Sequence, residues 1–244
     1  MTSHDRDQAG EPHGHNAPAT PSVAFVAGAH TRLGHYLAQW LGSTGTKVAA
    51  IDQNGSPPDR NISVAIAHRN DPQTREAVDR AVTELGAPTL LLTVNDLPPA
   101  AAFADLDSAA WSDLLENVVG RSLDACRAVL PVMRQHGGGT IVAVSPAPGP
   151  DVEPGPDRGT AHYAAAHHTL LGMMRTLAIE AGPDSINVTT LAPVPIATPA
   201  TSSHQTDLSA DGLTALADTI AYLIGDGSFC TGQVMAPKLT IADR

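Results

Sequence analysis

Gly28 and Gly34 bracket the turn in the segment AGAHTRLG, residues 27–34. The segment follows the apolar run VAFVA (Val23–Ala27). It leads into RLGHYLAQWLG, where Leu33, Leu37, Trp40 and Leu41 recur at helical spacing. Glycines at a strand-to-helix turn let the backbone approach a phosphate, and the helix N-terminus favours the anion. His30, Thr31, Arg32 and Leu33 lie between the glycines and belong to the same candidate site. Asp52 follows the next apolar run, KVAAI (Lys47–Ile51). An acidic side chain there can accept hydrogen bonds from a ribose and repel a 2′-phosphate. Arg32 pulls the other way.

The elements that must position these residues follow from hydrophobic rhythm. Further short apolar runs are ISVAIA (Ile62–Ala67), TLLLTV (Thr89–Val94), TIVAV (Thr140–Val144), INVTTL (Ile186–Leu191) and TGQVMA near the C-terminus. Between them lie helical segments. PQTREAVDRAVTELG has proline at its start and glycine at its end. A long helix is predicted from about Ala109 to Gln135. Another runs from Tyr163 to Ala181 with Leu170, Leu171, Met174 and Leu177 facing inward, and LTALADTIAYLIG is the last. Apolar strands without polar alternation indicate a sheet buried on both faces. Their alternation with helices predicts an α/β, Rossmann-type, doubly wound parallel sheet of about seven strands. Ligands then bind beyond the carboxyl ends of the strands.

The chain has 244 residues, the size of one large α/β domain. Residues 1–21 are rich in Pro, Gly, Ala, His and Asp and predict a flexible tail, with the domain spanning 22–244. His13 and His15 are read as part of that solvated tail, and no metal site is expected. Aromatic residues make up only 3%, so the core must rest on Ala, Val, Leu and Ile. A formal net charge of −11 argues against nucleic acid and against an anionic membrane surface. No apolar run reaches the roughly 18 residues of a membrane span, and the N-terminus lacks an apolar centre of the signal-peptide kind. A cytoplasmic protein is expected. Cys126 and Cys230 are far apart and read as ordinary thiols.

The stretch YAAAHHTLLGMMRTLAIEAGPDSINVTTLAP, Tyr163–Pro193, resembles the YxxxK helix and following strand of the short-chain dehydrogenases/reductases. The resemblance extends from Val23 to about Ala236. The first turn is similar to that family's TGxxxGxG, with Ala27 and Arg32 as departures, and to the TGxxxRxG variant of pteridine reductases. It implies NAD or NADP as cofactor. Tyr163 takes the place of the family's catalytic tyrosine, and His167 that of its lysine. The serine position falls most simply on Pro146, with Ser145 available if the backbone bends and Asp151 a weaker candidate. The helix asparagine falls on Asn117 or on Val118, depending on alignment, and Asn117 is taken as the site member. His68 stands where an adenine-contacting aspartate is usual, and Thr93-Val94-Asn95-Asp96 replaces NNAG. Pro193-Val194 replaces the PG turn, and Thr198 matches the family threonine. The segment Pro199–Gly212, where a substrate lid belongs, is short.

Three functions are compatible with these residues. One is an NAD(P)(H)-dependent oxidoreductase acting on a carbonyl or alcohol, with Tyr163 as acid–base. The second is a non-redox enzyme, such as a cyclase, isomerase, dehydratase or epimerase, using Tyr163 and His167. The third is a catalytically silent partner of an active relative. The expected ligand is an uncharged small molecule. The resemblance implies a homodimer or homotetramer.

Overall fold

A computed structural model describes residues 20–51, 64–66, 71–95, 102–146, 161–196 and 208–240. The strands are β1 (Val23–Ala27), β2 (Lys47–Ile51), β3 (Val64–Ile66), β4 (Leu90–Val94), β5 (Gly139–Val144), β6 (Ile186–Leu191), β7 (Val194–Ile196), β8 (Val234–Met235) and β9 (Lys238–Thr240). The helices are α1 (Arg32–Ser43), α2 (Asp71–Leu85), α3 (Ser108–Leu115), α4 (Arg121–Gln135), α5 (Ala161–Ala181) and α6 (Ala210–Ile224). Seven strands form one parallel sheet in the order β3-β2-β1-β4-β5-β6-β8. The strand order reverses between β1 and β4, and such a reversal opens a crevice at the carboxyl ends of both strands.

Both sheet faces are buried, as the unbroken apolar runs require. Val23, Phe25 and Ala27 of β1 enter one core with Leu91, Ile141, Ile186 and Val188, covered by α2, α4 and α5. Ala24 and Val26 enter the other with Leu90, Leu92, Val142 and Val144, covered by α1 and α6. The period-2 alternation of strand side chains produces this division. On α5, Leu170 and Met174 are buried as expected, while Leu171 and Leu177 are only half-buried.

Two features depart from the sequence reading. The long helix is interrupted by a π-helical turn, Glu116–Gly120, between α3 and α4. A second, two-stranded sheet joins β7 to β9 in parallel. It is tied to the main sheet by Ala192 N–H donating to Met235 O at 2.7 Å and Val194 N–H donating to Pro237 O at 2.9 Å. Pro193 sits between these two bonds, at the exit of β6. Among the described residues, no helix is long and apolar enough to cross a membrane.

Candidate active site

The first turn is packed against β4. Gly28 has φ +88°, and its N–H donates to Ile51 O at 3.2 Å. A Cβ at Gly28 would lie 2.1 Å from the carbonyl oxygen of Val94, and one at Gly34 would lie 2.1 Å from that of Gly28. Neither contact leaves room for any side chain. Thr31 is the N-cap of α1. Its hydroxyl donates to Gly28 O at 2.7 Å and accepts from Gly34 N–H at 2.9 Å. The two glycines and the threonine therefore fold the turn into a single compact cradle. The N–H groups of Arg32 and Leu33 lie at the positive end of α1. The Arg32 and His30 side chains are exposed beside them, and Leu33 is half-buried against the core.

β4 ends beside that cradle. Asn95 is buried, and its backbone N–H donates to Val144 O at 2.9 Å. Among the described residues, its side-chain Nδ2 has no hydrogen-bond partner, and neither does the buried hydroxyl of Thr93. Leaving a buried donor unpaired costs about 1–3 kcal/mol. An amide left so at the mouth of a crevice is suited to an incoming ligand.

The third component forms at the end of β5. Ser145 N–H donates to Leu191 O at 2.9 Å, which extends the β5–β6 pairing by one residue. The Ser145 hydroxyl then lies 3.3 Å from the Tyr163 phenol and 3.0 Å from Nδ1 of His167. The phenol donates to the carbonyl oxygen of Pro146 at 2.6 Å. All three side chains are buried. α5 presents Tyr163 and His167 together because residues four apart share a helix face. Burial, and secondarily the neighbouring His168, lowers the His167 pKa from 6.5 to about 4. The imidazole is therefore neutral at physiological pH, a base without permanent charge.

Among the described residues, the Ser145 hydroxyl reaches Tyr163, and Pro146 contributes its carbonyl. Asn117 is placed differently from the three residues around Tyr163. Its side chain is exposed, and its Oδ1 accepts from Arg121 at 3.2 Å, within the same helical stretch. Val118 is the buried residue of the π turn. A single-residue offset rotates a helical side chain by about 100°, which is enough to turn Asn117 outward. Asp52, His68, Asp151 and Thr198 lie outside the described residues. His162 escaped the sequence reading. It is buried next to Tyr163, and its Nδ1 has no partner among the described residues. Its only signal was adjacency to the tyrosine.

A compact glycine turn at the switch point and a buried tyrosine–serine pair beyond β5 sit at the carboxyl ends of a Rossmann-type sheet. The short chain dehydrogenase family model matches residues 22–209. The chain belongs to that family. A short-chain type dehydrogenase/reductase of Sinorhizobium fredii is 29% identical over 210 residues, covering 79% of this chain and 78% of that one. The 3-oxoacyl-acyl-carrier-protein reductase FabG of Escherichia coli is 25% identical over 233 residues, covering 87% and 94%. The crystal structure of L-sorbose reductase from Gluconobacter frateurii, complexed with NADPH and L-sorbose, shares the fold. Its TM-score is 0.71 at 18% identity, over 92% of this chain and 98% of that one.

Proposed function

We propose that this protein is an NAD(P)(H)-dependent oxidoreductase acting on the carbonyl or alcohol of a small uncharged molecule, with an altered set of catalytic residues. The observation that carries this reading is the contact between the Ser145 hydroxyl and the Tyr163 phenol beyond the β5 end. The named reductases among its relatives point the same way.

The dinucleotide end fits such a cofactor. Gly28, Thr31, Arg32, Leu33 and Gly34 would hold its phosphates, and the unpaired Asn95 amide offers a further donor. When bound, the nicotinamide supplies or accepts hydride. Tyr163 then acts as the acid–base. Its phenol transfers its proton to the oxygen of the reduced carbonyl, or takes one from the alcohol in reverse. Ser145 orients that phenol. His167, in the lysine position, is neutral, so it lends the phenol no positive charge. An uncharged neighbour favours a phenol that keeps its proton, hence carbonyl reduction over alcohol oxidation at neutral pH. A cytoplasmic homodimer or homotetramer belongs to the same proposal.

One observation favours a second reading, a catalytically silent subunit. Tyr163 is buried and its proton is already directed at Pro146 O. Calorimetric titration with NADH and NADPH, followed by absorbance of the reduced nicotinamide against a panel of carbonyls, separates the two. Nucleotide binding with carbonyl-dependent oxidation supports the enzyme. Failure to bind either nucleotide sinks it, and catalysis without nucleotide would point to the non-redox alternative.

A further inference from the structure

Resting on the oxidoreductase reading, we propose that Ser145 is a proton relay joining Tyr163 to His167. In this arrangement the histidine ring returns the proton that Tyr163 gives to substrate. In the proposed direction, the phenol donates to Pro146 O at 2.6 Å and accepts from the Ser145 hydroxyl at 3.3 Å. Ser145 has one proton. With it directed at Tyr163, its oxygen accepts from His167 Nδ1 at 3.0 Å. The chain runs from the Nδ1–H of His167, through the Ser145 hydroxyl, to the oxygen of Tyr163.

The steps balance. Once Tyr163 has protonated the substrate oxygen, it is a phenolate. The Ser145 O–H proton passes to the phenolate oxygen, and the Nδ1–H proton passes to the Ser145 oxygen. A proton drawn from solvent enters at Nε2. His167 ends neutral in its other tautomer, so no charge accumulates in the buried site. An imidazole, with two nitrogens that exchange donor and acceptor roles, can do this while staying neutral.

The surroundings suit a ring that stays uncharged. His168 packs edge-on, with ring centroids 5.6 Å apart, and Tyr163 lies with its centroid at 6.0 Å. Asp113 of α3 and Glu116 of the π turn, on the elements packed against α5, are exposed. β6, which packs against α5 as well, carries no titratable residue. Burial opposes the imidazolium that a nearby carboxylate would otherwise favour.

The test uses the full chain labelled with 15N in its histidines, with the His167 signals assigned by their loss in His167→Gln. The expected ring is the Nδ1–H tautomer, moved toward Nε2–H in Ser145→Ala and retained in Ser145→Thr. With nucleotide and an active carbonyl, Ser145→Ala and His167→Gln each lower kcat by roughly 10²-fold while nucleotide affinity holds. The double variant is no slower than the worse single, because both break one chain. A tautomer indifferent to Ser145→Ala, or fully multiplicative losses in the double variant, overturns the relay. Absence of nucleotide binding instead defeats the oxidoreductase reading, and the tautomer measurement still decides whether Ser145 couples to the ring.

Discussion

Ser145 Oγ lies 3.0 Å from Nδ1 of His167, so the residue after β5 and a residue one helical turn beyond Tyr163 share a hydrogen bond. The bond joins a neutral imidazole to the hydroxyl that contacts the Tyr163 phenol.

Replacing Tyr163 with phenylalanine removes the phenol and leaves the ring packing in place. The buried Pro146 carbonyl loses its donor, at a stability cost of about 1 kcal/mol. Carbonyl-dependent nucleotide oxidation is expected to fall by roughly 10²- to 10⁴-fold, with nucleotide affinity unchanged by calorimetry. Retained turnover would remove Tyr163 from the chemistry.

His167 makes the fold acid-sensitive. Above pH 6.5 the ring is neutral whether the chain is folded or not. Between pH 6.5 and about 4 the unfolded chain takes up a proton that the folded site refuses. Stability therefore falls as pH drops through that window, and this contribution levels off below it. The drop from 6.5 to about 4 sets an upper bound on the order of 3 kcal/mol. His167→Gln lacks this penalty. Urea unfolding at both ends of the window should show a smaller acid loss in the variant, and equal losses would refute the assignment.

Gly28→Ala would set a methyl 2.1 Å from Val94 O at a φ of +88°. We expect a loss of about 3 kcal/mol in denaturant unfolding, from overpacking and backbone strain together. Gly34→Ala meets Gly28 O at the same distance and should behave alike, while Gly172→Ala, with open space around it, should be near neutral or stabilising. Similar stabilities for all three variants would mean the cradle is not as tight as drawn.

The cysteines should differ in reactivity. Burial pushes the Cys126 thiol up to about 12, and its side chain is inaccessible. Cys230 is half-buried. A thiol reagent applied to the native protein should modify Cys230 first and reach Cys126 only on unfolding. Equal native rates would show that the α4 region opens.

Much of the scaffold was legible from local rhythm. β1 and β2 occupy the predicted apolar runs because a strand buried on both faces needs uninterrupted small and branched side chains. The glycine turn was equally readable, since glycines between an apolar run and a helical segment mark a strand-to-helix turn. The π turn was not legible. It shifts the hydrogen-bond register of a helix without altering its composition, and that shift bears on which of Asn117 and Val118 is buried. β7 and β9 are three residues each and pair across distant parts of the chain, so neither has a periodicity of its own.

The sequence by itself determined the strand-and-helix alternation, the phosphate-type turn and the pairing of Tyr163 with His167 on one helix face. These follow from side-chain period and from steric limits that act within a few residues. Only the tertiary structure brought the Ser145 hydroxyl to Tyr163, gave the Pro146 carbonyl to its phenol and turned Asn117 outward. Those outcomes depend on how β5 and α5 converge across some twenty residues of chain. Burial also lowers the His167 pKa to about 4, which keeps the ring neutral at physiological pH.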